Sequence, residues 1–294
     1  MLACSALSVR AGWRHLLKGI ELAVRPGEFV AVLGENGAGK STLLRALAGE
    51  SIAPLRASGR VELAGRPVGA WPPLERARLR AVLTQHTELA FSFTALEIAL
   101  LGRYAYGAGA ADRAIARQAL RLADAAHLAE REVATLSGGE RARVLLAAVF
   151  AQLWEMEAPR PRFMLLDEPT AALDLAHQHH LLATAREFAA RRGLGVLTIL
   201  HDVNLAAQYA DRVLVLFDGR LLAQGTPHEV LSPPVIAEAF AVAAHVLAHP
   251  LKPAPLIATA QRSALPHGRQ HVPLAPSQTS ASPTLNMHTI GTST

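Results

Sequence analysis

Residues Gly34 to Thr42 read GENGAGKST, directly after the apolar run FVAVL and directly before LLRALAG. Gly34, Gly39, Lys40 and Ser41 fit the spacing G-x-x-x-x-G-K-[ST], a loop that joins a buried strand to a helix. The spacing predicts an α/β core. Glycines let successive backbone N–H groups wrap an anion, and the N-terminus of the following helix adds its partial positive charge. Gly34, Glu35, Asn36, Gly37, Ala38, Gly39, Lys40, Ser41 and Thr42 are therefore candidate phosphate-binding positions. Lys40 supplies a mobile point charge for terminal phosphates, and the Ser41 hydroxyl is a hard oxygen ligand for magnesium. A glycine-rich turn with no ligand is the plainer reading, and the strand and helix on either side argue against it.

A second stretch, LLDEPTAALDLAHQHH from Leu165 to His180, places Asp167 and Glu168 at the end of the apolar run FMLL. Acids at the C-terminal end of a buried strand suit a nucleotide and its metal. Asp167 is a candidate magnesium carboxylate, and Glu168 a candidate general base that polarises a water for attack on a γ-phosphate. The alternative for Glu168 is simple balance of nearby basic charge. His177, His179 and His180 invite a metal or haem reading. Their spacing opposes it, because residues one or two apart on a helix do not share a face. Structural and interface roles are expected for them. A third motif, LSGGE from Leu136 to Glu140, puts Ser137, Gly138 and Gly139 at the start of the helix RARVLLAAVF, a second anion cradle. Ser137 with Glu140 also fits an ordinary capping box. If the two cradles lie far apart, one nucleotide cannot use both within a single chain, and a second copy is implied.

The chain has 294 residues, 51% hydrophobic and 18% charged, which suits a globular core. Its net charge is +5, but basic residues occur in scattered pairs such as Arg191 and Arg192, so no nucleic-acid partner is expected. The single cysteine, Cys4, excludes an intrachain disulfide, and MLACS lacks the leader of a lipoprotein signal. Apolar stretches such as VLLAAVFAQLW fall short of the roughly 18 residues a membrane helix needs, so any membrane role is peripheral.

Four segments are expected. Residues 1–86 hold the nucleotide-binding core, with strands LSV, IELAV, FVAVLG and RVELAG giving a small antiparallel sheet beside a parallel one. Residues 87–160 form an alanine-rich helical subdomain, where Ile115, Ala119, Leu122 and Ala126 recur at helical spacing. Residues 161–262 return to the core through FMLLD, GVLTILHD and RVLVLFDGR. The Pro-, Ser- and Thr-rich segment 263–294 has too little apolar content to offset its ordering entropy and is expected to be a disordered tail. His267 and His271 in it are read as a bystander pair.

From these motifs the chain resembles ATP-binding subunits of ABC transporters over about Leu7 to Pro250. The resemblance implies the fold class, a P-loop ATPase cassette with a small antiparallel β subdomain and an inserted helical subdomain. It implies ATP and Mg2+ as cofactors. It also implies that Gln85 in VLTQH senses magnesium and contributes to catalysis, that Asp174 marks the D-loop, and that His201 in ILHD holds the γ-phosphate. Without it, His201 reads as a core histidine. The family stacks adenine on an aromatic near the first strand; here Ala11 holds that place, and Trp13 is the candidate substitute. The partners implied are a head-to-tail homodimer, two transmembrane permease subunits and, indirectly, a periplasmic haem-binding protein, with this subunit peripheral on the cytoplasmic face of the inner membrane. Finer likeness in WPPLERARLRAVLTQH, LAFSFTALEIALLGR, LDLAHQHHLLATAREFA, AQLWEMEAPRPRF and the stretch from Leu200 to Leu231 is to importers of iron chelates and corrinoids, most closely hemin importer subunits. Ferric-siderophore or cobalamin import, and a soluble ABC ATPase, are the alternatives. Phe91 and Phe93 are expected in a groove that receives a permease helix, with core packing as the competing role.

Overall fold

The computed structural model describes residues 1–50, 54–84, 92–107, 109–155 and 160–261. The chain opens with β1 (Leu2–Ala11), β2 (Arg14–Val24) and β3 (Phe29–Leu33), then α1 (Lys40–Ala48), β4 (Arg56–Leu63), β5 (Arg66–Pro67), α2 (Pro73–Leu79) and β6 (Arg80–Leu83). Helices α3 (Ala95–Leu101), α4 (Ala110–Leu122) and α5 (Gly138–Gln152) follow. The core resumes with β7 (Phe163–Asp167), α6 (Leu175–Arg192), β8 (Gly195–Ile199), α7 (Val203–Tyr209), β9 (Arg212–Phe217) and β10 (Arg220–Gly225). Two short helices, α8 (Pro227–Val230) and α9 (Pro233–Phe240), lead to a terminal hairpin of β11 (Val242–Ala248) and β12 (Pro255–Gln261).

Among the described residues the central sheet runs β10-β9-β3-β8-β7-β6, parallel except for the β10–β9 edge. Its inner strands are continuous apolar runs because both faces are covered. Val30, Val32, Leu165, Leu197 and Ile199 face one buried cluster, shared with α1 and the antiparallel sheet β2-β1-β4-β5. The alternate residues Phe29, Ala31, Leu33, Met164, Leu166 and Val196 face the other, shared with the helices. The strand period of two thus splits each run between two cores. β8 pairs with β3 on one side and β7 on the other, so the chain ends of these strands leave the sheet side by side along one edge.

The helical segment is fastened by polar contacts as well as packing. Thr94 and Glu97 form a capping box on α3. The buried Arg103 guanidinium donates to Asp112 (2.8 Å) of α4, to the Ala151 carbonyl (2.8 Å) of α5 and to Glu155 (2.6 Å). A buried charge is tolerable only when paired and hydrogen-bonded in this way. The helical spacing in the sequence runs through Ala126, but α4 ends at Leu122. Asp124 turns left-handed (φ 52°), and Ala126 is exposed on a separate 3-10 turn. Its buried face is Ala116, Ala119 and Leu120, with Ile115 and Leu122 at the margin, half-buried. The β11–β12 hairpin has no counterpart among the strands expected from the sequence. The tail 263–294, and with it His267 and His271, lies outside the described residues.

Candidate functional site

The loop after β3 and the start of α1 border an open cavity of about 480 Å³ lined by Asn36, Gly37, Gly39, Lys40, Ser41 and Thr42 together with Arg14, Leu16, Glu168 and His201. The glycines are required by the backbone. Gly34 has φ 148° and a Cβ there would lie 2.3 Å from the Leu216 carbonyl oxygen; Gly39 has φ 101° and a Cβ would lie 2.6 Å from that of Leu16. Only glycine adopts such angles without strain while admitting a neighbouring backbone this close. Gly39 is the left-handed N-cap of α1, and no side chain caps that helix, so its first N–H groups are not taken by a cap of its own.

Lys40 is 5% exposed, and its ammonium donates to the carbonyls of Gly34 (2.7 Å) and Glu35 (2.9 Å). Burial pulls its pKa below the usual lysine range, against the opposing charges of Glu168, Asp167 and Glu35. The Ser41 hydroxyl donates to Asp167 Oδ1 at 3.2 Å, joining α1 to the end of β7. Burial raises the pKa of the Asp167 carboxyl; the Ser41 hydrogen bond and the Lys40 charge oppose that rise, and Glu168 adds to it. Glu168 follows β7 in the left-handed region (φ 50°), an uncommon conformation for a residue with a side chain. Its Oε1 lies 2.7 Å from His201 Nε2, just beyond β8. The chain places Lys40, Ser41, Asp167, Glu168 and His201 together although 161 residues separate the first from the last, because β3, β8 and β7 are neighbours. Hard oxygen donors from Ser41 and Asp167 fit a magnesium ion, and Glu168 faces the same cavity.

Ser137 lies elsewhere. It caps α5, where its backbone N–H and hydroxyl both donate to Glu140 Oε2 (2.8 Å each) and its Oγ accepts from the Glu140 N–H at 3.3 Å. These hydrogen bonds hold the Glu140 carboxyl below its ordinary range. Ser137 and Gly138 are exposed and Gly139 half-exposed, and none of the three lines the Lys40 cavity. Gly138 and Gly139 leave room for Ala172 and Leu173, whose atoms a Cβ would approach to 3.2 Å. Asp174 then caps α6, accepting from the His177 N–H (2.9 Å) and touching His177 Nδ1 (2.7 Å). His179 Nδ1 meets the Tyr209 hydroxyl at 2.8 Å, and His180 is exposed. The histidines thus have separate surroundings. No group of three or more metal-ligating side chains is found among the described residues.

Trp13 occupies the β1–β2 turn, 91% exposed, and is absent from the cavity lining, whereas its neighbour Arg14 is part of it. Arg14 was not singled out in the sequence; the hairpin register, with Ala11 opposite Arg14, puts it there. Gln85 lies outside the described residues.

The ABC transporter family matches residues 17–171. The hemin import ATP-binding protein HmuV of Gloeobacter violaceus is 52% identical over 260 residues, 87% of this chain and 93% of that protein. Its namesake in Myxococcus xanthus is 48% identical over 274 residues, 92% of this chain and 97% of that protein. Among solved structures, an inward-facing metal-chelate type ABC transporter superposes with a TM-score of 0.72 at 25% identity, over 90% of this chain and 99% of that one. A dimeric bacterial ABC transporter cassette gives a TM-score of 0.67 at 25% identity, over 77% of this chain and 98% of that one.

Proposed function

The chain belongs to the ABC transporter ATP-binding family, and from that premise we propose that it is the ATP-hydrolysing subunit that energises import of hemin across the inner membrane. The observation that carries the reading is the likeness to hemin import proteins over nearly the whole chain, with Lys40, Ser41, Asp167, Glu168 and His201 converging on one cavity.

Residues Gly34 to Thr42 wrap the phosphates of ATP, and Lys40 supplies charge to them. Magnesium, when bound, neutralises phosphate charge; Ser41 and Asp167 would hold it, with Gln85 as a further ligand. Glu168 accepts the proton of the attacking water, and His201, in contact with Glu168, holds the γ-phosphate side of the site. The exposed Ser137, Gly138 and Gly139 complete the site of a second copy in a head-to-tail homodimer. The division into a core of residues 1–86 and 161–262 with a helical part at 87–160 suits that arrangement.

No helix among the described residues is long and apolar enough to cross a membrane. In the proposed complex two permease subunits supply the path, and this subunit is peripheral on their cytoplasmic side. Phe93 lines a second cavity, of about 750 Å³, with Leu100, Leu101 and Tyr104, and also packs against the core cluster. It suits the seat of a permease helix; Phe91 lies outside the described residues. The test is reconstitution of the chain with its permease and periplasmic haem-binding protein in vesicles. ATP-dependent accumulation of hemin is expected, and transport of a ferric siderophore or cobalamin in its place would reassign the substrate.

A further inference from the structure

His201 stands between β8 and α7, and its side chain is 46% exposed. Apart from its 2.7 Å contact with Glu168, little around the imidazole holds it, and its reach to Glu168 depends on the backbone that carries it. On the strand side this frame is fixed: Leu200 donates its N–H to the Val32 carbonyl at 3.1 Å. On the helix side it rests on α7, only seven residues long, a length at which a helix depends on caps and tertiary anchors. Asp202 is the cap, accepting from the N–H groups of Asn204 (2.7 Å) and Leu205 (3.1 Å).

The anchor comes from 53 residues further along the chain. Asn204 Oδ1 accepts from the Ile257 N–H at 2.7 Å, and Asn204 Nδ2 donates to the Ile257 carbonyl at 3.1 Å. One side-chain amide thus pairs with both backbone groups of a β12 residue, as a neighbouring strand would. Such double pairing fixes both distance and direction. Lys252, in the β11–β12 turn, sits 4.4 Å over the Tyr209 ring at the other end of α7. The hairpin therefore grips α7 at both ends, and the nearer grip is three residues from His201.

We propose that Asn204 is a positioning residue for ATP hydrolysis: by clamping α7 to the C-terminal hairpin it aims His201 at Glu168. The inference rests on the assignment of His201 and Glu168 to the hydrolytic site. It makes the hairpin part of the catalytic frame although no hairpin residue reaches the cavity. A small error in aim is costly, since a misplacement of about 1 Å can lower a rate about 100-fold. Loss of the clamp leaves α7 in place through its cap and its buried Leu205, Ala206 and Tyr209, so a partial effect is expected.

The test compares steady-state ATPase kinetics of the full chain with Asn204→Ala and with Ile98→Val, a mild change at a buried position of α3, which packs on α4 and α5 and not on the hairpin. Asn204→Ala should lower kcat about tenfold with KM for ATP within about twofold. Ile98→Val should leave kcat within about twofold of the parent, even where its loss of melting temperature matches that of Asn204→Ala. A parental kcat for Asn204→Ala, or an equal loss for Ile98→Val, overturns the proposal. Should Asn204→Ala not fold, hydrogen exchange in the parent decides. By the reciprocity of linkage, magnesium with a non-hydrolysable ATP analogue should slow exchange in peptides covering 255–261 about fivefold or more, and unchanged exchange overturns the link. His201→Ala hydrolysing ATP at the parental rate would instead remove His201 from the site, and the exchange measurement, which needs only nucleotide binding, still decides whether the hairpin is coupled.

Discussion

The two proposed anion cradles, the loop at Gly34–Thr42 and the turn at Ser137–Gly139, are both glycine-rich helix starts, yet they differ in their surroundings. The first opens into a cavity whose other walls come from the same chain: Glu168 after β7, His201 after β8 and Arg14 on β2. The second has its serine engaged with Glu140 of its own helix and otherwise faces outward. Burial is the cause of the contrast. Lys40 and Asp167 are each 5% exposed and shift one another's titration, whereas Ser137 is exposed. A cradle walled on several sides by its own chain can hold a nucleotide before a second copy completes the site. One that lies open becomes a site only when another surface closes it.

The largest expected effect tests the enclosed cradle. Glu168→Gln removes the base but leaves the loop, Lys40 and Ser41, so hydrolysis should fall roughly 100- to 10,000-fold while ATP still binds. Sizing chromatography with ATP and magnesium should then reveal an ATP-bound dimer. A mutant that turns over at the parental rate would take Glu168 out of the chemistry.

The open cradle is tested by complementation. Ser137→Arg should reduce hydrolysis on the order of 100-fold without weakening ATP binding to the monomer. Lys40→Ala should be inactive for a different reason, its loss of phosphate charge. Mixed together, the two form heterodimers with one composite site free of both lesions, and activity should return. A mixture no more active than its components would mean that each chain completes its own site, and the contrast between the cradles would collapse.

The smallest effect asks how far the enclosed cradle extends. Trp13 stands in solvent beyond the cavity lining, so Trp13→Ala should shift the dissociation constant for ATP by no more than about twofold, the range of an ordinary surface substitution. A much larger loss, measured by calorimetry, would make the β1–β2 turn part of the nucleotide site.

Several of these elements could be read directly from the chain because their signals are local. FVAVL, FMLLD and GVLTI are short apolar runs of strand length, and each is a buried strand of the central sheet. Other features depend on residues distant in sequence. Arg103 reads as one more scattered basic residue until the fold brings Asp112, Ala151 and Glu155 around it. The helical spacing runs past the end of α4 because Ala123, Ala125 and Ala126 are strong helix formers, and the left-handed Asp124 that stops the helix is a weaker local signal than a glycine or proline. The sequence points to Trp13 and not to Arg14, because composition says nothing about which of two adjacent hairpin residues faces the cavity.

By itself the sequence determined the phosphate loop, the paired acids after an apolar strand, the capping chemistry of Ser137 and Glu140, and through them the family. Each is a matter of residue type at short spacing, where backbone freedom, strand period or a reach of three residues suffices. The tertiary structure alone decided that β8 lies between β3 and β7, which brings His201 within 2.7 Å of Glu168, and that Asn204 finds Ile257 53 residues away. Those pairings follow from strand order and from the return of the last hairpin onto α7. They are set by how whole apolar faces are buried together, a property that no short stretch of the chain carries.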